Sequence, residues 1–472
     1  MRHHHYHFIG IGGSGMSAIA KVLLERGAKV SGSDLAASHV TRRLERLGAS
    51  IAIGHREENV DGADAVIVSS AIPESNPELQ AARRQDIPVY TRGEMLARLM
   101  DERRGIGIAG SHGKTTTTSM IAMVMERAGL DPTVLVGGEL NDIGGNAKVG
   151  SGPYMVAETD ESDGSFLMLR PHVAVVTNVE DDHLEYWNSV ERLQHAFLEY
   201  LDGVREGGFA IVCADDPVAR ELGLRTATRV RFYGIDERAE VRARDVELQG
   251  IGSRFKVLAG DTPLGVITLK VPGVHNVQNA LAALAVALEL GISFEVARDA
   301  LASFSGVRRR FQVLGQEAGI TVVDDYAHHP TEIATTLAAA RRATEGRLIC
   351  VFQPHRFTRT RDLHESFGPA FKQADEVVVT EIYPAGEAPI PGVTSELISR
   401  SIERSTGRTP HALTRPEDIM IFLKNTARPG DLVLTLGAGD IWKVGEIFVR
   451  SLREEGTAEA GGRADGVVTT SG

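Results

Sequence analysis

Short apolar, β-branched runs alternate with amphipathic stretches along the chain, and glycines collect where the apolar runs end. That alternation predicts parallel sheets joined by crossover helices. The first unit reads as strands at His5–Gly10, Lys29–Ser33, Ala65–Ser69 and Val89–Tyr90, with helices at Met16–Arg26, around Thr41–Leu47 and at Pro77–Arg84. It closes near residue 92. A helical stretch, Gly93–Arg103, leads to a strand at Ile106–Ala109, a loop over Gly110–Thr115 and a helix reaching about Ala128. Strands follow at Tyr154–Ala157, Val173–Thr177, Phe209–Cys213 and Val230–Tyr233; residues 242–271 read as antiparallel strands and Asn276–Leu290 as a helix. After the turn Ser303–Gly306 and the basic run Arg308–Arg310 the alternation resumes. Its strands are Ile320–Val323, Arg347–Phe352, Glu376–Thr380 and Asp431–Leu436; its helices are Thr331–Arg342, Arg361–Gln373, Ser395–Ile402 and Pro416–Lys424. The expectation is an α/β protein of three domains, 1–92, 93–305 and 306–454. The Gly-, Ala-, Ser- and Thr-rich residues 455–472 are expected to form a frayed tail.

Composition narrows the function. With 472 residues, 42% apolar and 24% charged, the chain reads as a soluble globular protein. It carries 51 basic against 63 acidic residues, a net charge of −12, so non-specific grip on nucleic acid is not expected. Phosphorylated small ligands need only a local cationic pocket and stay open. Two cysteines, Cys213 and Cys350, make neither a disulfide framework nor a zinc spacing and suit a reducing compartment. No long apolar run predicts a membrane span, and the basic start runs into a glycine-rich strand end rather than a signal peptide's apolar region. A cytoplasmic protein is expected. His3, His4 and His5 form a poor metal site.

The strongest local signal is Gly110-Ser111-His112-Gly113-Lys114-Thr115-Thr116, between an apolar strand and an amphipathic helix. A helix N-terminus there points N–H groups at an anion, glycines let the backbone approach phosphates, a lysine offsets their charge and a threonine hydroxyl suits Mg²⁺. The longer G-x-x-x-x-G-K-S/T pattern wants a glycine where Ile108 stands, so the fit is to a shorter Gly-x-x-Gly-Lys-Thr form. The bland reading is a capped turn. Gly10-Ile11-Gly12-Gly13-Ser14-Gly15 matches G-x-G-x-x-G, and Asp34 closes the next strand 24 residues past Gly10. By itself this reads as a dinucleotide fingerprint with an acid for a ribose, or as a close-packed turn without a ligand.

Four acids occupy Glu158–Asp163 at the end of an apolar strand. Such a run is usually solvated, but beside a nucleotide loop it suits a Mg²⁺ site of carboxylates and phosphate oxygens. His183 follows another apolar strand within Glu180-Asp181-Asp182-His183 and reads as a structural histidine or a ligand. In the third unit, Asp324–Pro330 and Gln353–Arg359 follow strands that should place both loops on one sheet edge. Arginine forks there suit carboxylates, and His328 has the chemistry to orient or deprotonate a nucleophile. A solvated basic turn is the alternative.

Taken in order, these residues resemble the Mur ligase family. The matching pieces are His7–Met16, Gly32–Asp34, Ser69–Pro73, Gly110–Thr118, Ala157–Ser162, Thr177-Asn178 with Asp182-His183, Pro272–Asn276, Arg309–Phe311, Asp324–Glu332, Phe352–Leu363 and Tyr383–Glu387. They run from about residue 7 to 445. The resemblance implies a Rossmann-like UDP-sugar domain, a central phosphate-loop ATPase domain and a Rossmann-like amino-acid domain. It implies an ATP-dependent, amide-forming ligase of peptidoglycan precursor synthesis and, within the family, the alanine-adding branch, with UDP-N-acetylmuramate and L-alanine as substrates.

The same resemblance assigns residues. Gly12, Gly13, Ser14 and Gly15 pass from a dinucleotide to the UDP diphosphate, with Asp34, His55 and Ser70 as further candidates on the UDP side. Gly110 to Thr116 bind ATP, with Lys114 catalytic; Asn276 resembles the adenine contact, Arg310 a γ-phosphate contact and Asp325 a ribose contact. Thr115, Glu158 and His183 look like Mg²⁺ ligands. Tyr326, His328, His355 and Arg359 look like the amino-acid pocket, with His328 placed to accept the ammonium proton. A monomer or homodimer is expected. Several sister ligases carry a modified lysine past the equivalent of His183; the span Leu184–Tyr200 has none, and Ala196 and Phe197 occupy that neighbourhood. The competing readings are a sister ligase adding another amino acid or a peptide, a nicotinamide dehydrogenase and a non-catalytic UDP-sugar sensor. The dehydrogenase leaves Gly113-Lys114-Thr115 and the acids at 158–163 without a role.

Overall fold

The computed structural model describes residues 4–140 and 145–464. Three sheets organise them. The first has five parallel strands, β1 (His5–Ile9), β2 (Lys29–Asp34), β3 (Ser50–Ile53), β4 (Ala65–Val68) and β5 (Val89–Thr91), in the order β3-β2-β1-β4-β5. β1 is buried at every position and lies at the switch point between β2 and β4, where the crossovers part and leave a crevice.

The second sheet has ten strands: β6 (Arg104–Ala109), β7 (Thr133–Leu140), β8 (Gly145–Lys148), β9 (Tyr154–Glu158), β10 (Val173–Val176), β11 (Phe209–Cys213), β12 (Val230–Gly234), β13 (Val241–Gln249), β14 (Gly252–Ala259) and β15 (Thr262–Leu269). Their order is β15-β14-β13-β12-β11-β10-β6-β9-β7-β8, with β6 in parallel between β9 and β10 and β8 antiparallel to β7. The third sheet, β16 (Gln312–Glu317), β17 (Ile320–Asp325), β18 (Leu348–Phe352), β19 (Glu376–Val379), β20 (His411–Ala412) and β21 (Leu432–Leu436), runs β16-β17-β21-β18-β19-β20. Only β16 is antiparallel in it.

The chain divides into two compact units. The second begins at Gly306 and takes in the short stretches 247–253 and 270–275; the first holds the rest of the first two sheets. These sheets share a unit because the helix Arg92–Asp101 buries Met95, Leu96, Leu99 and Met100 in a core that continues from Phe8 and Ile19 to Phe166 and Phe197. Burying four such side chains is worth several kcal/mol at about 1.5–3 each. Thr91 caps this helix by accepting from the Glu94 N–H, and Glu94 closes the capping box.

Helices Val190–Asp202, Pro217–Arg225 and Phe294–Ser303 were not among the expected elements; Ser189, Asp216 and Ser293 cap them. The strands β7 and β8 were missed because Gly137-Gly138 and Gly144-Gly145 read as loop. The frayed tail needs correction. The helix Trp442–Ala464 carries on past 455, since Glu and Ala among its last residues are good helix formers continuing a helix already packed through Phe448 and Leu452. The tail beyond 464 lies outside the described residues. Among the described residues no helix is long and apolar enough to cross a membrane.

Candidate active site

Strand β6 delivers the second glycine loop. Gly110 stands at φ +136, and a side chain there would collide with Thr177 Oγ1. Gly113, at φ +83, starts the helix Lys114–Arg127, and a Cβ on it would lie 2.8 Å from Asn279 Oδ1. The loop is clamped from β10's side: Asn178 Oδ1 accepts the His112 N–H at 2.8 Å, Thr177 Oγ1 donates to the His112 carbonyl at 2.6 Å and Ser111 Oγ accepts the Glu180 N–H at 2.9 Å. Asn279, whose Oδ1 faces Gly113, donates through Nδ2 to Asn276 Oδ1 at 3.2 Å, one helical turn back. A backbone held this firmly at a helix N-terminus is a preorganised anion site.

The acids at 158–163 are not a solvated run. Each has a fixed partner. Thr115 Oγ1 lies 2.9 Å from Glu158 Oε2, which also accepts the Gly137 N–H at 2.8 Å. Glu161 pairs with Lys114 at 2.7 Å, and Arg92 Nη2 donates to Asp160 at 2.7 Å and Asp163 at 3.3 Å. Burial works against the Lys114 charge, but Glu161 and Glu158 outweigh it and hold the ammonium's pKa above its ordinary value. Thr115 and Glu158 offer adjoining oxygen donors, the set Mg²⁺ prefers, so these two residues fit the expected ion. His183 Nε2 is 3.5 Å from Asp182 and 4.0 Å from Glu161. Glu161 thus joins the lysine to the histidine.

The first glycine loop turns on Gly10, at φ +80, with Gly10 and Ile11 both donating to the Ser33 carbonyl. Asp34 Oδ2 accepts the Gly12 N–H at 2.8 Å, and a Cβ on Gly12 would sit 2.7 Å from that oxygen. Ser70 is exposed in the turn after β4, whose neighbours Ser69 and Ile72 approach Gly10. His55 follows β3 and meets Ser33 Oγ at 3.0 Å. The two glycine loops meet. A cavity of about 170 Å³ is lined by Ser14 and Gly15 from the first and by Lys114 and Glu158 from the second, with Arg92 between them.

In the second unit the loops after β17 and β18 come together as expected. Tyr326, His328, His355 and Tyr383 form a line of rings, with centroids 5.3, 5.6 and 5.7 Å apart in turn. Arg359 Nη1 lies 3.2 Å from His355 Nδ1. Burial lowers the His328 imidazole to about 4, with Arg359 and Arg310 adding to the effect and Glu332 opposing it. Burial, His328 and Arg359 take His355 down to about 3. A base that weak is poorly matched to an alkyl ammonium. Arg309 is anchored by Asp324 at 3.2 Å and the Gly439 carbonyl at 3.0 Å, whereas Arg310 spans the Tyr326 ring and lies 3.5 Å from Glu332. Asp325 is buried, and its two oxygens accept the Phe311 and Ala327 N–H groups at 2.7 Å each.

Family models match in sequence order: "Mur ligase family, catalytic domain" over residues 5–104, "Mur ligase middle domain" over 108–287 and "Mur ligase, glutamate ligase domain" over 309–439. The UDP-N-acetylmuramate–L-alanine ligase of Pelotomaculum thermopropionicum is 50% identical over 456 residues, covering 95% of this chain and 98% of that protein. That of Geobacter sulfurreducens is 48% identical over 450 residues, covering 95% and 97%. This chain belongs to the Mur ligase family. The crystal structure of a UDP-N-acetylmuramate–alanine ligase from Thermotoga maritima superposes with a TM-score of 0.82 at 31% identity, covering 96% of this chain and all of that one.

As a Mur ligase the chain has the three-domain α/β fold expected of it. Sequence reasoning had passed over four residues that pack among these candidate residues. Arg92 and Glu161 stood in plain view, but an isolated arginine after a strand and one acid among four carry no signal of their own. Asn279 had a usable one, its i, i+3 spacing from Asn276 on a helix. Tyr383 stood within a matched motif, and its stacking on His355 needed the fold to become visible.

Proposed function

We propose that this Mur ligase is cytoplasmic and uses ATP to join L-alanine to the carboxylate of UDP-N-acetylmuramate. The observation that carries this is the cavity shared by Ser14 and Gly15 with Lys114 and Glu158. A sugar-nucleotide on one loop and ATP on the other would present a carboxylate to a γ-phosphate there. The relatives' activity and the match along the chain support the same reading.

A carboxylate is a poor electrophile. Its oxygen attacks the γ-phosphorus, ADP leaves, and the resulting acyl phosphate takes the alanine amine at its carbon, with inorganic phosphate leaving. Lys114, held charged by Glu161, offsets the charge on the transferring phosphoryl oxygens; the family resemblance gives Arg310 a γ-phosphate contact. Thr115 and Glu158 would hold Mg²⁺, with His183 as a third candidate, and the ion would supply further charge neutralisation there. Arg359 pairs with the alanine carboxylate, and His328 and Tyr326 orient the amine, which attacks in its neutral form.

Phosphate release with UDP-N-acetylmuramate, ATP and Mg²⁺ across a panel of amino acids tests the reading. Stimulation by L-alanine is expected. Turnover that no amino acid stimulates sinks the ligase assignment; preference for an acidic amino acid moves the chain to another branch.

A further inference from the structure

The helix Ser14–Glu25 opens on the first glycine loop and turns a second face to the central sheet. Ser14, Ser17, Ala18 and Lys21 stand at i, i+3, i+4 and i+7, which places them on one side of that helix. Strand β8 lies against this side. Lys21 Nζ donates to the Ala147 carbonyl, and Gly145 lies so close to Arg43, from the helix His39–Arg46, that a Cβ on it would sit 2.6 Å from Arg43 Nη1. Asn146, between them, donates through Nδ2 to the Ser14 carbonyl at 2.7 Å and to Ser17 Oγ at 2.9 Å. Ser17 Oγ gives its own hydrogen to the same carbonyl at 3.0 Å. A carbonyl only accepts, so the amide faces it with its NH₂ group, and both amide hydrogens are engaged.

The other strand of the hairpin reaches the phosphate loop. Leu135 of β7 pairs with Ala147, and two residues further on the Gly137 N–H donates to Glu158 Oε2 at 2.8 Å. Glu158 in turn meets Thr115, in the first turn of the helix Lys114–Arg127. Leu135, Val136 and Gly137 line the cavity of about 170 Å³ together with Ala18 and Ile19. One hairpin thus grips both Ser14 and Glu158, which line that cavity from separate domains. In-line attack needs the reacting atoms about 3–3.5 Å apart, and a misplacement of about 1 Å costs up to about a hundredfold in rate. Neither glycine loop fixes that distance by itself, since each carries a different nucleotide. We propose that the β7–β8 hairpin sets the spacing of the two loops through Asn146, a positioning residue for phosphoryl transfer to the acceptor carboxylate. This rests on the ligase reading above. Asn146 acts through Ser14 rather than on either nucleotide.

Kinetics and calorimetry on the full chain test this with Asn146→Leu, which keeps the volume but donates nothing, and with Asn146→Ala. Both should lower kcat for phosphate release by about tenfold to a hundredfold with UDP-N-acetylmuramate, ATP, Mg²⁺ and L-alanine all saturating. Titrated separately, UDP and the non-hydrolysable analogue AMP-PNP with Mg²⁺ should each bind as tightly as to the unaltered protein, because each loop stays intact and only their spacing is released. A kcat that neither substitution lowers overturns the proposal. So does a fall confined to one of the two variants, which would assign the effect to packing. A loss of affinity for either nucleotide as large as the fall in kcat overturns it too, since the hairpin would then be a support for one loop alone. Failure of the ligase reading would appear separately, in the unaltered protein, as absence of phosphate release with any amino acid.

Discussion

Glu161 Oε1 stands 2.7 Å from Lys114 Nζ, and each side chain is at least 85% buried. Removing one partner of such a pair strands the other in a low dielectric, a loss of about 3–5 kcal/mol. Glu161→Gln should therefore lower the melting temperature by several degrees, and Lys114→Met should do the same while cutting turnover by about 10²–10³. The double variant should be more stable than the sum of the two single losses predicts. If the two losses simply add in thermal melts, the residues do not act as a unit.

Gly110 and Gly113 carry the second loop through left-handed backbone, and neither has room for a side chain. Gly113→Ala places a methyl 2.8 Å from Asn279 Oδ1 and strains a φ of +83. The expected result is a rise in KM for ATP of about tenfold or more, with modest loss of stability, because the helix start must shift from its anion site. An unchanged KM for ATP would show that the loop's backbone does not meet the nucleotide.

His328 carries the pH prediction. Its imidazole is lowered from 6.5 to about 4, chiefly by burial. The unfolded chain therefore takes up its proton first as pH falls. His328 contributes stability that is full above about 6.5 and is lost between there and about 4, in total about 3 kcal/mol. His328→Gln should flatten that acid limb in pH-dependent melts. In kinetics the ring is already neutral at pH 6–8, so the variant should raise KM for L-alanine without changing the shape of the pH profile. A limb near neutrality that vanishes in the variant would restore His328 as the proton acceptor.

Much of this was legible from residue order. A parallel sheet announces itself through apolar runs ending in glycine, and the two glycine loops fell at strand ends as the pattern required. Pro77–Arg84 was bounded correctly because Asn76 and Pro77 mark a helix start in chemistry as well as in pattern. The strands β7 and β8 escaped because Gly137 is needed to let Glu158 approach the backbone, and a glycine pair looks like a loop. Individual partners escaped for a different reason. That Asp160 and Asp163 share Arg92 while Glu161 takes Lys114 depends on residues 47 to 71 positions apart, which no local pattern encodes. The Ser33–Glu78 bond, 45 positions apart, is of the same kind.

Tyr200 offers a test of the core beneath the site. It is 1% exposed, packs its ring 5.3 Å from that of Phe166, and its hydroxyl makes no hydrogen bond among the described residues. The hydroxyl instead abuts Gly107 in β6, where a Cβ would collide with it. Leaving such a group unpaired costs about 1–3 kcal/mol. Tyr200→Phe removes the oxygen and keeps the ring, at the expense of a void smaller than a methyl group. The net expectation is a gain of about 1 kcal/mol, or about 2–4 °C in melting temperature. A melting temperature that falls instead would mean that the hydroxyl has a partner, such as a buried water, and that the strand under the phosphate loop is held by it.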